Sequence, residues 1–250
     1  MINPSYVNST YSLISGHGTE SEPSPSALKP QSSNRKKRGV AETGKLWPQR
    51  STLTIAFMEM SKKDEDFIIK TIKKWAPYIN LTLAFGPGPG ADIKISGSPT
   101  IEGDWSACGT DALLAKKDEP TMHIDLRHKT EEILERTVLH EFGHALGLLH
   151  EHQHPDRTLD FNVPAVYRTY GSHVGWPKEQ THGQVLKKAD PKDVITSAYD
   201  PDSIMHYDLP AFLLWQQSRA PINYELSHND KTFIRSIYPG HSPGQPTGIR

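Results

Sequence analysis

The chain has 250 residues and a formal net charge of -1, with 35 % hydrophobic and 23 % charged residues. That balance excludes a whole-molecule field able to draw in DNA or an anionic bilayer, and no apolar run approaches the roughly 20 residues that span a membrane. A single cysteine, Cys108, excludes an intramolecular disulfide, so stability has to come from a packed core, which a chain of this length can build.

Residues 1–38 are rich in Ser, Pro and Gly, as in Ser21-Glu22-Pro23-Ser24-Pro25-Ser26, and carry few large apolar side chains. Such a stretch buries too little surface to order itself. Met1 to Ser15 lacks the basic start and apolar stretch of a secretory signal, and the compartment stays open. The run Arg35-Lys36-Lys37-Arg38 has three readings: a solvated charge run, a nuclear-targeting or nucleic-acid patch, or a dibasic processing site. The third would make residues 1–38 a pro-segment. The expected organisation is a disordered arm or pro-segment over 1–44, one catalytic domain over 45–240, and a tail over 241–250.

The globular part is expected to start near Lys45-Leu46-Trp47-Pro48. Thr52 to Met60 is β-branched and aromatic and reads as a strand. Ser61 can cap a helix with Asp64 three residues on, and Phe67, Ile68, Ile72 and Trp75 recur at helical spacing up to Pro77. Leu81 to Phe85 reads as a second strand, broken by Gly86-Pro87-Gly88-Pro89-Gly90. Ile93 to Ser96 reads as a third strand and Thr121 to Leu126, which alternates, as a fourth. Short helices are expected near Val163–Tyr170 and Pro177–Lys188. A last one opens at Ser227, with Asp230 completing a capping box, and runs to Ile237. Strand, helix and several strands before a long helix predict an α+β domain with helices on one sheet.

The long helix carries the chemistry. Thr130 can cap it, and Ile133, Leu134, Val138 and Leu139 give it an apolar face. It leads into His140-Glu141-Phe142-Gly143-His144-Ala145-Leu146-Gly147-Leu148-Leu149-His150-Glu151. Residues four apart share a helix face, so His140 and His144 project side by side and can grip one ion at about 2.0–2.1 Å. Glu141, rotated about 100° from His140, can approach a water on the ion without being a ligand. His150 lies six residues past His144 and would face away on a continuous helix. Gly147 can take the left-handed conformation that stops the helix and turns the chain, returning His150 to the metal. Three neutral imidazoles suit zinc and leave an open position, whereas a non-haem iron site would use two His and a carboxylate as ligands. Lone histidines are usually surface or core residues, and the chain has 13; the fixed spacing is what sets these three apart.

This spacing, H-E-x-x-H-x-x-G-x-x-H, is the metzincin signature. With Ser203-Ile204-Met205-His206-Tyr207 downstream and Glu151 after the third His, the chain resembles the astacin family of metallopeptidases, most of all its shorter microbial forms. The resemblance covers about residues 45–239. It includes Leu46-Trp47-Pro48, Trp105-Ser106-Ala107-Cys108-Gly109-Thr110 and Leu226-Ser227. It implies a zincin fold: a twisted mixed sheet, an active-site helix and an irregular C-terminal subdomain. It also implies one catalytic zinc ion on His140, His144 and His150, with Glu141 as general base. Met205 would be an apolar floor beneath the imidazoles, and Tyr207 a switchable fifth ligand that turns to the oxyanion. Glu151 would pair with a freed N-terminus, which cleavage after Arg38 would place at Gly39.

The implied activity is that of a zinc metalloendopeptidase, which hydrolyses internal peptide bonds of protein or peptide substrates by a Glu-assisted zinc-bound water. An extended substrate would pair with an exposed edge strand, for which Thr121–Leu126 is the candidate. No nucleic-acid or membrane partner is expected, and the protein should be a monomer. The alternative is a catalytically silent zinc-binding protein on the same scaffold, against which an intact Glu141 argues. Animal astacins carry two disulfides, which one cysteine cannot form; Cys108 reads as a buried thiol. His123, His128, His152, His154 and His206 are read as surface or supporting groups, and the pair after Glu151 as solvated.

Overall fold

The computed structural model describes residues 39–86, 88, 90–216 and 222–240. The expectations for residues 1–38 and for the tail 241–250 lie outside these residues. The described residues include regular structure ahead of Lys45, within the span expected as an arm over 1–44. Strand β1 (Val40–Glu42) pairs antiparallel with β7 (Val194–Thr196) in a two-stranded sheet. Val40 and Ala41 are buried there. Three residues are too few to show alternation, so their pairing is hidden in the sequence.

The main sheet has five strands in the order β3-β2-β4-β6-β5. They are β2 (Thr52–Met58), β3 (Thr82–Phe85), β4 (Ile93–Ser96), β5 (Trp105–Ser106) and β6 (Met122–His123). All neighbours are parallel except β5, which runs antiparallel to β6. The sheet is mixed, and Leu53, Ile55, Ile93, Ile95 and Met122 carry its buried side chains.

Two helices lie against the sheet. Helix α1 (Lys62–Ile72) opens at Ser61, whose side chain accepts from the Asp64 amide, and places Ile68 and Ile72 in the core. Helix α2 (Glu131–Ala145) opens at Thr130, whose side chain accepts from the Ile133 amide. Its residues from Arg136 onward are buried. Trp75 joins the two, its indole N–H donating to Leu139 O at 3.2 Å.

The segment Thr121–Leu126 is strand only at Met122–His123, and it is not an edge. On one side the Thr121 amide donates to Lys94 O (2.9 Å) and the Ile124 amide to Ser96 O (3.0 Å); on the other the Ala107 amide donates to Thr121 O (2.7 Å). With both sides occupied, the edge passes to β5. The sequence hides this because β5 is only two residues long.

After α2 the chain is irregular, as expected, and builds a second apolar cluster around Phe161, Val166, Tyr170, Val185, Leu209, Leu213 and Leu214. Helices α3 (Val163–Thr169) and α4 (Lys178–Thr181) each run into a π-helical turn, Tyr170–Val174 and His182–Leu186. The helix expected over 177–188 is therefore mostly a wide turn. The final helix, α5 (His228–Ile237), starts at Ser227 with the full capping box to Asp230.

Candidate metal and active site

Helix α2 delivers His140 and His144 on one face, with ring centroids 4.9 Å apart. Leu146 then caps it and Gly147 takes φ +92°. The Gly147 amide donates to His144 O (2.8 Å) and the Leu148 amide to Gly143 O (3.0 Å). This paired bonding closes a helix through a left-handed glycine. The reversed chain brings the His150 ring to 4.4 Å from His144 and 5.2 Å from His140.

The outer nitrogens of two of these imidazoles are taken by backbone carbonyls. His140 Nδ1 donates to Ile204 O and His144 Nδ1 to Leu148 O, each at 2.8 Å. Those bonds leave the Nε2 lone pairs pointing inward. His144 Nε2 and His150 Nε2 stand 3.0 Å apart, against about 3.3 Å for two nitrogens held tetrahedrally on zinc at about 2.0–2.1 Å. One ring nitrogen from each of the three lies within 4.8 Å of the others. Burial pushes the pKa of His140 and His150 well below the usual imidazole value, and that of His144 down to about 4. Neutral imidazole is the form that binds metal, and the donor set fits one zinc ion.

Glu141 is buried, with Oε2 lacking a hydrogen-bond partner among the described residues. Desolvation, helped by the charge of Asp104, pushes its carboxyl well above the usual range. Tyr207 is also buried, and its hydroxyl has no hydrogen-bond partner among the described residues either. Its ring lies 4.2 Å from that of His150. The structure thus brings His140, His144, His150, Glu141 and Tyr207 into one site.

A turn from Ser203 to His206 supports the site from below. The Met205 amide donates to Ser203 Oγ (3.0 Å), and the Glu151 amide to Met205 O (3.0 Å). Asp230 anchors the turn: Oδ1 accepts from Ser203 Oγ (2.6 Å) and Oδ2 from the Ile204 amide (2.8 Å), while Oδ2 also accepts from the Ser227 amide (2.8 Å). The residue that caps α5 therefore also holds the turn under the imidazoles.

A family model described as Astacin, a family of peptidases, matches residues 39–232. The chain belongs to the astacin family. Over 232 residues it is 25% identical to "Zinc metalloproteinase nas-2" of Caenorhabditis elegans, covering 85% of this chain and 73% of that protein. It is 37% identical over 82 residues to "Zinc metalloproteinase nas-5" of Caenorhabditis elegans, a match that takes in 32% of this chain and 20% of that protein. Among solved structures, that of myroilysin superposes with a TM-score of 0.77 at 29% identity, covering 82% of this chain and 100% of that one. The protein is a zinc metalloprotease with the metzincin fold that the resemblance implied.

Within this astacin domain the structure corrects several sequence readings. His152 and His154, read as solvated, are both buried, as are His123 and His206. His123 sits in β6 with Nε2 on Ile101 O (3.1 Å), while in the C-terminal subdomain His152 Nε2 meets Gln184 O (2.9 Å) and His206 Nε2 meets the Tyr199 hydroxyl (2.7 Å). Glu151 is buried and its Oε1 accepts from the Asp200 amide (2.7 Å). Two contributors escape the sequence reading. Gly143, an unspecified position of the signature, lies against Met205. Asp230 reads only as a cap, and nothing local to it signals its second bond set.

Proposed function

We propose that the protein cleaves internal peptide bonds of extended substrates, with His140, His144 and His150 holding the zinc ion, Glu141 as general base and Tyr207 as the oxyanion donor. Bound there, zinc supplies Lewis acidity, which acidifies a water and polarises the scissile carbonyl. Glu141 accepts the proton of the attacking water and returns it to the leaving amine. A buried carboxyl with a raised affinity for protons suits both halves of that transfer. Tyr207 donates its hydroxyl to the oxygen on which negative charge develops, the interaction that lowers such barriers most.

One observation supports this reading above others. Among the described residues, a carboxylate oxygen of Glu141 and the hydroxyl of Tyr207 are both buried without a hydrogen-bond partner; Glu141 adjoins His140, the Tyr207 ring lies 4.2 Å from that of His150, and one ring nitrogen from each of the three imidazoles lies within 4.8 Å of the others. Unpaired buried polar atoms are costly, and a reacting substrate would satisfy both. Pairing of the substrate backbone with β5, the antiparallel edge, would present an interior bond rather than a chain end. The protein acts as a monomer in this reading. Cleavage after Arg38 frees the Gly39 amine for Glu151, whose carboxyl desolvation also drives well upward.

The test is digestion of casein by the zinc-loaded protein, with Glu141→Gln and a chelated sample beside it. Cleavage lost in both, with zinc retained by Glu141→Gln, is the expected outcome. A Glu141→Gln protein that cleaves as fast as the parent would overturn the assignment of the base. A zinc-loaded parent that cleaves nothing would return the chain to the silent alternative.

A further inference from the structure

The Tyr207 hydroxyl has no partner among the described residues, yet its ring is closely placed. Ring contacts hold the phenol in place from its sides. Three imidazoles neighbour the ring: His140 at 6.4 Å, and two that lie much nearer. His150 meets the ring at 4.2 Å with planes 58° apart, a tilted contact. His152 meets it at 4.1 Å with planes only 25° apart, a stack. The 3-10 turn Glu151–Gln153 follows His150 directly and carries His152, so the turn that begins beyond the third imidazole also reaches the back of Tyr207.

His152 is itself fixed. It is fully buried, and its Nε2 donates to Gln184 O at 2.9 Å. That carbonyl belongs to the π-helical turn His182–Leu186. Gln153 adds a second tie, its Nε2 donating to Gly183 O at 3.0 Å. A nitrogen engaged with a carbonyl leaves the imidazole face as the surface His152 offers to Tyr207.

We infer that His152 is a positioning residue, a fixed plate whose face sets where the Tyr207 hydroxyl stands. The inference rests on the role proposed above for that hydroxyl. It assigns the π-helical turn a task as well: the turn fixes the plate, and the plate aims the phenol.

Two substitutions separate face from hydrogen bond. His152→Phe keeps a flat ring and loses the donor to Gln184 O. His152→Gln keeps a donor and loses the ring. Peptide hydrolysis by the zinc-loaded full chain is measured with zinc content determined for each variant. The expected result for His152→Gln is a kcat about tenfold lower with KM and zinc content unchanged, the size of one lost aromatic stack. His152→Phe should stay within about threefold of the parent. In a Tyr207→Phe background His152→Gln should lower kcat no further, because the two residues act as one unit.

If His152→Gln does not fold, His152→Leu removes the plane with an apolar replacement and takes its place. A tenfold loss that persists in the Tyr207→Phe background, or a larger loss in His152→Phe than in His152→Gln, would overturn the inference. A Tyr207→Phe protein as active as the parent would instead overturn the proposed role of the hydroxyl.

Discussion

An ideal Cβ placed on Gly143 stands 2.4 Å from Met205 Sδ and 3.2 Å from its Cε. The glycine between Glu141 and His144 is therefore a gap filled by the sulfur from below. The contact fixes how closely helix α2 approaches the Ser203–His206 turn.

Gly143→Ala tests that fit. Alanine is favoured over glycine in a helix by about 1 kcal/mol, while forcing an extra methyl into a packed core costs about 1–3 kcal/mol. The steric effect should win, because the added Cβ meets both Sδ and Cε of Met205 and already touches Trp75 at 3.5 Å. The expected outcome is a lower Tm and weaker zinc binding, checked by thermal melts and competition with a chelating dye. A variant that melts above the parent would show that Met205 moves freely.

Gly147→Val tests the helix stop. At φ +92° a side-chain-bearing residue costs roughly 1–2 kcal/mol, and the new Cβ meets Leu46 Cδ2 at 2.9 Å. Because His150 follows three residues later, zinc affinity should fall at least tenfold. Gly147→Asn should fall between the two, since Asn tolerates the left-handed region better. Equal zinc affinity in all three proteins would contradict the geometry.

How much of this is legible in the sequence follows from distance along the chain. Ser61, Thr130 and Ser227 can be read as caps because each bonds an amide two or three residues on. The ligand spacing and Gly147 are readable for the same reason. The edge strand, the pairing of β1 and the burial of His152 and His154 are not, because each depends on partners supplied from elsewhere in the fold. Gly143 shows the limit most clearly: its reason for being glycine is a methionine from the far side of the subdomain.

The pH dependence of the zinc-free protein can be derived with its sign. Burial lowers the folded-state pKa of His140, His144 and His150, and takes His206 to about 4. Their contribution is present above the unfolded imidazole value of 6.5 and is lost as pH falls through the folded values. Glu141 is opposite: its pKa is raised, so its contribution is present below 4.5 and lost as pH rises. Each titrating group changes the slope by up to about 1.4 kcal/mol per pH unit. Glu141→Gln removes the opposing carboxyl. Its stability relative to the parent should therefore grow from pH 4.5 upward, as measured by urea unfolding at pH 5 and pH 7. Parallel stabilities at the two pH values would show that Glu141 is not desolvated.

Cys108 should be chemically silent in the folded state. Cys108, expected to be buried, is half-buried in the structure; desolvation nonetheless pushes its thiol up to about 12, with the charge of Glu42 adding to the effect. At pH 8 the native protein should resist iodoacetamide while the urea-unfolded chain reacts. Cys108→Ser should retain zinc and activity. Rapid labelling of the native protein would reopen a redox or metal role.

Strand β1 ties the third ligand to the start of the fold. The Glu42 amide donates to Gly147 O (3.1 Å), the Leu149 amide to Val40 O (3.0 Å), and Ala41 forms a bridge with Leu148, whose carbonyl in turn orients His144. The loop between the second and third imidazoles is thus held by Val40–Glu42, and those same residues also pair with β7, far along the chain. A peptide spanning only α2 and its loop would carry all three histidines yet lack the clamp that aims them. The signature alone is therefore not a metal centre: the aim of its imidazoles depends on segments far from it in sequence meeting around it.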